Sequence, residues 1–183
     1  MKKYFALFIL LTPLLFSHAQ NKSYFVGINP SVTVEPYYEE GELDVNVFPF
    51  VFQRPINLRT HVRLTSIVNL GIRNNANKLS HYGFEAAVPV FIRKVPDYSE
   101  INKGFFVAPI VSGTRNNLED HTNLGLWVEP GYHLIFEKNF AMSFGLQLGG
   151  TYFFYDDKTT ALGGHFGVKI VLGFWKGIDT VTP

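Results

Sequence analysis

Over long stretches of this chain apolar and polar residues alternate one for one, and a period of two restricts the chain to strands with one oily face. From Leu58 to Leu70 the even positions are mostly apolar, while the odd set carries Arg59, His61, Arg63 and Asn69. From Asn123 to Phe136, Leu124, Leu126, Val128, Pro130, Tyr132, Leu134 and Phe136 oppose Asn123, Gly125, Trp127, Glu129, Gly131 and His133. Residues 140–155 set Phe140, Met142, Phe144, Leu146 and Leu148 against Ala141, Ser143, Gly145, Gln147 and Gly149. Residues 162–175 set Leu162, Phe166, Val168, Ile170, Leu172 and Phe174 against Gly163, His165, Gly167, Lys169 and Gly173. Segments 23–35, 42–53, 79–92 and 104–115 complete eight expected strands, the last with both parities apolar. The connections at 36–41, 54–56, 73–78, 93–103, 116–121, 137–139 and 156–160 carry the Gly, Pro, Asn, Asp or charge that turns require.

The first 19 residues have another character: Lys2 and Lys3, an apolar run from Tyr4 to Phe16, then Ser17-His18-Ala19 before Gln20. This is the three-part pattern of a cleaved secretory signal, and the run falls short of the roughly 20 residues a membrane helix needs. The expected organisation is a signal over 1–19 and one domain over 20–183. Without the signal the chain has 14 bases against 15 acids, which leaves no electrostatic footprint for nucleic acid. With no cysteine, disulfides, thiolate metal sites, a catalytic thiol and a lipidated N-terminal Cys are excluded. No metal or other cofactor is expected. The sequon Asn21-Lys22-Ser23 adjoins the cut and is read as chance.

Alternation does not say which face meets oil, because a soluble lipocalin-like barrel turns its apolar face inward and an outer-membrane barrel turns it outward. Strand length favours the second. The expected strands run to roughly 11–15 residues, enough for the 9–11 that cross a bilayer at a tilt. Glycines beside long polar side chains on the other face suit a narrow, filled lumen. Aromatic residues near strand ends, Tyr24, Phe136, Phe140 and Phe174 at one rim and Tyr37, Tyr38, Tyr152 and Tyr155 at the other, suit two bilayer interfaces. Prolines at 30, 49, 89, 109 and 130 oppose this reading, since each removes a ladder donor inside an expected strand.

The signal, the eight alternating strands and the segment Glu129-Pro130-Gly131-Tyr132-His133-Leu134-Ile135-Phe136-Glu137-Lys138-Asn139-Phe140-Ala141-Met142 resemble the small outer-membrane β-barrel proteins of the OmpA/OmpX-like type. His165, Gly167, Ile170 and Leu172 are similar to the final-strand signal read by the barrel assembly machinery, with Leu172 where an aromatic is usual and a tail, Lys176–Pro183, beyond the strand. The resemblance implies an all-β, eight-stranded antiparallel up-and-down transmembrane barrel in the cell outer membrane. It implies a porin-like monomer whose partners are outer-membrane lipid, lipopolysaccharide and the assembly machinery.

The candidate chemistry lies on the polar face. A turn centred on Lys138 sets Glu129 opposite Gln147 and His133 beside Ser143, and one centred on Lys158 sets Gln147 opposite Lys169. A lumenal row Glu129–Gln147–Lys169 results, in which the amide bridges opposite charges that burial forces into compensation. Arg59, His61 and Arg63 with Glu85 on the next strand form a second polar set. Both sets are read as a structural polar plug, with a solute gate as the sharper alternative. His133 and Ser143 raise a lipid A acylase or deacylase, but Glu129 lies about 13 Å along the strand from His133 and cannot orient it. Loop carboxylates at Glu35, Glu39, Glu40, Glu42, Glu119, Asp120, Asp156 and Asp157, with His121, offer divalent-ion bridges to lipopolysaccharide or plain solvation. No catalytic residue is assigned. The expected role is structural or in surface interaction, with a periplasmic lipocalin-like binder or a lipid A-modifying enzyme as alternatives.

Overall fold

The computed structural model describes residues 23–33, 39–96, 100–155 and 159–177, so the expected signal and Tyr37 and Tyr38 lie outside the described residues. Its strands are β1 (Tyr24–Ile28), β2 (Val32–Thr33), β3 (Leu43–Asn46), β4 (Phe50–Pro55), β5 (His61–Ile72), β6 (Lys78–Ala87), β7 (Val90–Phe91), β8 (Gly104–Asn116), β9 (His121–Ile135), β10 (Phe140–Tyr155) and β11 (Ala161–Lys176). They make eight staves, because β1 with β2, β3 with β4, and β6 with β7 are each one stave interrupted near a proline. Each stave pairs antiparallel with the next, and β1 pairs with β11, which closes the sheet into a barrel. Among the described residues no helix is long and apolar enough to cross a membrane, a statement that does not bear on crossing by strands.

The prolines explain the interruptions. Pro30, Pro49 and Pro89 stand in the gaps between β1 and β2, β3 and β4, and β6 and β7. The carbonyls of Pro49 and Pro89 still serve, with Asn29 N–H donating to Pro49 O at 2.7 Å and His61 N–H to Pro89 O at 2.9 Å. Pro109 stays within β8, its carbonyl accepting from Val88 N–H at 3.0 Å beside the break at Pro89. Pro130 stays within β9 where the β9–β10 ladder skips from Gly131↔Gly145 to Val128↔Leu148. The missing donors thus fall where pairing already lapses.

The alternation sorts the two faces. On β10 Ala141, Ser143, Gly145 and Gln147 are buried, while Phe144, Leu146 and Leu148 are exposed. On β8, where parity was open, Phe106, Ala108, Ile110 and Ser112 turn inward and Phe105, Val107 and Val111 outward. Tyr155 shares the inward parity of β10 and packs on His121 with ring centroids 4.7 Å apart, so it belongs to the interior and not to an outer aromatic rim. The other rim forms as expected: Tyr24 stacks on Phe52, and Phe140 lies between Phe136 and Phe174.

The β9–β10 register follows from the short turn Glu137–Asn139, with His133↔Ser143 as expected from a turn centred on Lys138. The β10–β11 register is shifted by two from the expectation, with Gly145↔Lys169 and Gln147↔Gly167. A shift of two keeps every side chain on its face, so parity gave no warning. The ladder between the first and last staves ends at Ile28↔Leu172. From Ala161 to Val171, β11 has β10 on one side and, among the described residues, no paired strand on the other.

At one end of the barrel the connection containing Ile101 and Asn102 turns inward: both are buried, and Ile101 packs with Phe25, Val51, Ala141, Val171 and Trp175. This is the closed end, and the opposite end is the open end. The interior is narrow enough that a Cβ added at Gly145 would sit 2.6 Å from Glu129 Cγ. Gly145→Ala should therefore cost about 1–3 kcal/mol by overpacking, read as a lower urea midpoint for the folded protein with an unchanged slope. An unchanged midpoint would mean that Glu129 does not fill this space.

Candidate functional site

Four formal charges meet at mid-barrel, each delivered by the inward parity of its strand. Arg63 on β5 donates through Nη2 to both oxygens of Glu129 on β9, at 2.7 and 2.9 Å. Lys169 on β11 donates to Glu85 on β6 and, at 3.2 Å, to Thr65 Oγ1. Gln147 links the two pairs, its Nε2 donating to Glu85 Oε2 at 3.0 Å and to Glu129 Oε2 at 3.2 Å. Its Oε1 is left to accept from His165 Nε2 at 3.4 Å. Arg63 also lies 3.9 Å from Glu85. Two cations and two carboxylates, all buried, sum to zero, as charges removed from water must.

The two polar sets of the sequence are therefore one network with different partners. Gln147 bridges two carboxylates rather than a carboxylate and an ammonium, and Lys169 reaches across the lumen to Glu85 rather than to its strand neighbour. Arg59 does not belong to it. Its N–H and that of Thr60 both donate to Asn57 Oδ1 at 2.8 Å, which holds 57–60 as an exposed turn before β5 begins. Thr65 was within reach of the parity argument, whereas the pairing of Arg63 with Glu129 across the lumen leaves no trace in strand-neighbour register.

His61 belongs to a second layer toward the closed end. Gln53 Nε2 donates to His61 Nδ1 at 2.7 Å, so Nε2 carries the proton and donates to Asn102 Oδ1 at 3.0 Å. Asn102 in turn donates to the carbonyls of Leu58 and Arg93, fastening the inturned connection. Around it stand Phe91, 4.7 Å from the His61 ring, and Trp175, 5.5 Å from it. Asn102 and Trp175 carried no sequence signal of this role, since one lies in a connection without period and the other reads as an ordinary strand aromatic.

His133 and Ser143 do meet, at 2.6 Å between Nδ1 and Oγ. Trp175 Nε1–H donates to His133 Nε2 at 3.2 Å, so Nε2 is the acceptor and Nδ1 carries the hydrogen that Ser143 receives. An imidazole that donates to the serine does not take its proton, and Glu129 is engaged with Arg63. Among the described residues no group of His, Asp and Glu is arranged to hold a metal ion. At the open-end rim Asp44 is held by Arg73 at 2.7 Å, Ser80 at 2.8 Å and His81 at 3.2 Å, so it fixes neighbouring staves together.

Above the charged network, toward the open end, lies a cavity of about 690 Å³ whose floor includes Thr65, Glu85, Gln147 and Lys169. Its walls carry Asn69, His121 and Asn123 with Trp127, Phe153 and His165. Trp127 and His165 stack at 3.9 Å between ring centroids.

No protein-family model matches the chain. No curated protein and no solved structure matches it. Fold and interior carry the functional argument.

The network makes a sharp demand on Arg63. Arg63→Met leaves Glu129 buried without its counter-ion and should cost about 3–5 kcal/mol. The double variant Arg63→Met/Glu129→Gln should recover most of that, measured by urea unfolding. Equal losses in the two variants would contradict charge compensation as the network's role.

Proposed function

We propose that this chain is an integral protein of the cell outer membrane, a non-catalytic monomeric barrel that anchors exposed loops and serves envelope structure or surface interaction. The observation that carries this reading is the outer surface of the barrel. Phe84, Ile92, Phe105, Leu126, Leu146, Phe166 and Val168 are among the large apolar side chains exposed on it, and the buried polar groups lie inside. Water-soluble monomers do not keep an apolar face on this scale uncovered, whereas a bilayer covers it. A lipocalin-like barrel requires the reverse arrangement. Tyr24, Phe136, Phe140 and Phe174 at the closed end support an interfacial girdle. On β11 His165 faces inward and Ile170 outward with Leu172 on the same parity, which suits the resemblance of His165, Gly167, Ile170 and Leu172 to the final-strand signal.

The interior supports a plug rather than a conducting pore, because the compensated charges and the aromatic layer beneath them fill the lumen from mid-barrel to the closed end. Outer-membrane lipid and lipopolysaccharide are the partners this surface fits. After export and cleavage near Ala19, the protein should fractionate with the outer membrane and run on a gel at different positions before and after heating. Release in soluble form by osmotic shock would defeat the reading. An even-stranded barrel with a periplasmic N-terminus places the connections at 54–56, 93–103 and 137–139, and with them the closed end, in the periplasm. Asn75→Cys and Asp120→Cys should label with an impermeant reagent on intact cells, and Lys138→Cys should not. Labelling of the last alone would invert the orientation.

A further inference from the structure

Charge that nearly cancels over the whole chain does not cancel along the barrel axis. At the closed end, segments 54–60, 93–103 and 137–139 together with Lys176 hold seven Lys or Arg and three acids. At the open end, segments 35–44, 73–78, 115–121 and 156–158 hold nine acids and four Lys or Arg. One rim of the barrel is basic and the other acidic.

The bases are placed with respect to the apolar belt. Phe52, Ile92, Phe105 and Phe174 belong to the belt, and two residues nearer the closed end from each stand Arg54, Lys94, Lys103 and Lys176. Two residues along a strand span about 6–7 Å. Lys176 shows the resulting geometry, with its Nζ 5.8 Å from the centroid of the Phe174 ring. The aliphatic stem lies on the belt and the charged head extends past its edge. Arg59, Arg93 and Lys138 lie in the connections beyond.

These cations lack internal partners. All but Arg54 are exposed, and among the described residues none of those six makes an ion pair. At the acidic rim, by contrast, Arg73 is held by Asp44 at 2.7 Å and Arg115 by Asp120. The unpaired bases come from the β4–β5, β7–β8 and β9–β10 connections and from the end of β11, so they ring the barrel. A macromolecule docking from one side would need a patch. A ring at the edge of the belt faces what surrounds the barrel at that level, and an anionic lipid surface attracts each such base over a Debye length.

We infer that this collar binds the phosphates of anionic phospholipid headgroups in the leaflet at the closed end and enriches those lipids around the barrel. The inference rests on the membrane reading above and adds the lipid class and the residues that select it. To test it, the mature chain is incorporated into phosphatidylcholine vesicles carrying a trace of spin-labelled phosphatidylglycerol or spin-labelled phosphatidylcholine. The fraction of label immobilised by the protein gives the relative affinity. Phosphatidylglycerol should be favoured about threefold or more at low salt, and the preference should vanish at about 0.5 M NaCl, where exposed charges are screened. Arg93→Gln/Lys94→Gln/Lys103→Gln/Lys138→Gln/Lys176→Gln should abolish it, whereas Lys78→Gln at the other rim should leave it unchanged.

Equal immobilisation of the two lipids by the unaltered chain, or a preference that the fivefold variant keeps, would overturn the collar. Should that variant not fold, Lys94→Gln/Lys176→Gln takes its place and should at least halve the preference. Salt-dependent binding of poly-glutamate without any lipid preference would overturn the lipid and assign the basic rim to an acidic protein. A chain that inserts and shows no preference sinks this inference alone. A chain that does not insert sinks the membrane reading. Its flotation with phosphatidylglycerol vesicles, reversed by salt and absent with phosphatidylcholine, would then keep the headgroup contact, and no flotation with either would sink both.

Discussion

Everything inside this barrel is arranged around the cancellation of four charges buried at mid-barrel. Arg63, Glu85, Glu129 and Lys169 come from four different staves, so their mutual satisfaction depends on the sheet having closed in one register. Gln147 makes the arrangement a single unit, since both of its hydrogen-bonding N–H groups are committed to the two carboxylates. A sheet slipped by one residue would drive these groups into the apolar belt and the belt into the lumen. Breaking either ion pair leaves a buried charge, so the interior acts as a lock on the wall that encloses it.

Much of this was legible in the sequence because the physics of a one-sided strand is local. Period two gave the staves, their faces and the inward placement of Glu129, Gln147, Lys169, Arg63 and Glu85. The short turn at Glu137–Asn139, with Lys138 and Asn139 both in the left-handed region, gave the β9–β10 register as well. The β10–β11 register was missed by two residues because its longer connection does not mark its own centre. Parity is blind to that error. Partners across the lumen were illegible for a related reason, since a barrel's curvature brings together side chains that no flat register lists as neighbours. Arg63 and Glu129 are joined by the roundness of the wall.

The closed end shows a different limit. The connection between β7 and β8 reads as a polar turn, yet Ile101 and Asn102 enter the barrel and complete a layer with Trp175 and His61. Connections carry no period, so nothing local separates a segment that folds in from one that stays in solvent. The same layer decides the character of His133. The hairpin register raised a histidine–serine pair, the contact exists, and the Trp175 indole fixes the tautomer that leaves the histidine donating to the serine.

The closing ladder has a consequence for how the molecule forms. Five register pairs, from Tyr24↔Lys176 to Ile28↔Leu172, join the two ends of the domain, against fourteen in the hairpin of β10 and β11. Hairpins between sequence neighbours zip across short loops, but this seam brings together segments separated by nearly the whole chain, and the entropy of closing that loop falls on few bonds. Contact order is thus concentrated at one place on the circumference. The hairpins can mature as a curled, open sheet, and the cylinder exists only once its two ends find each other.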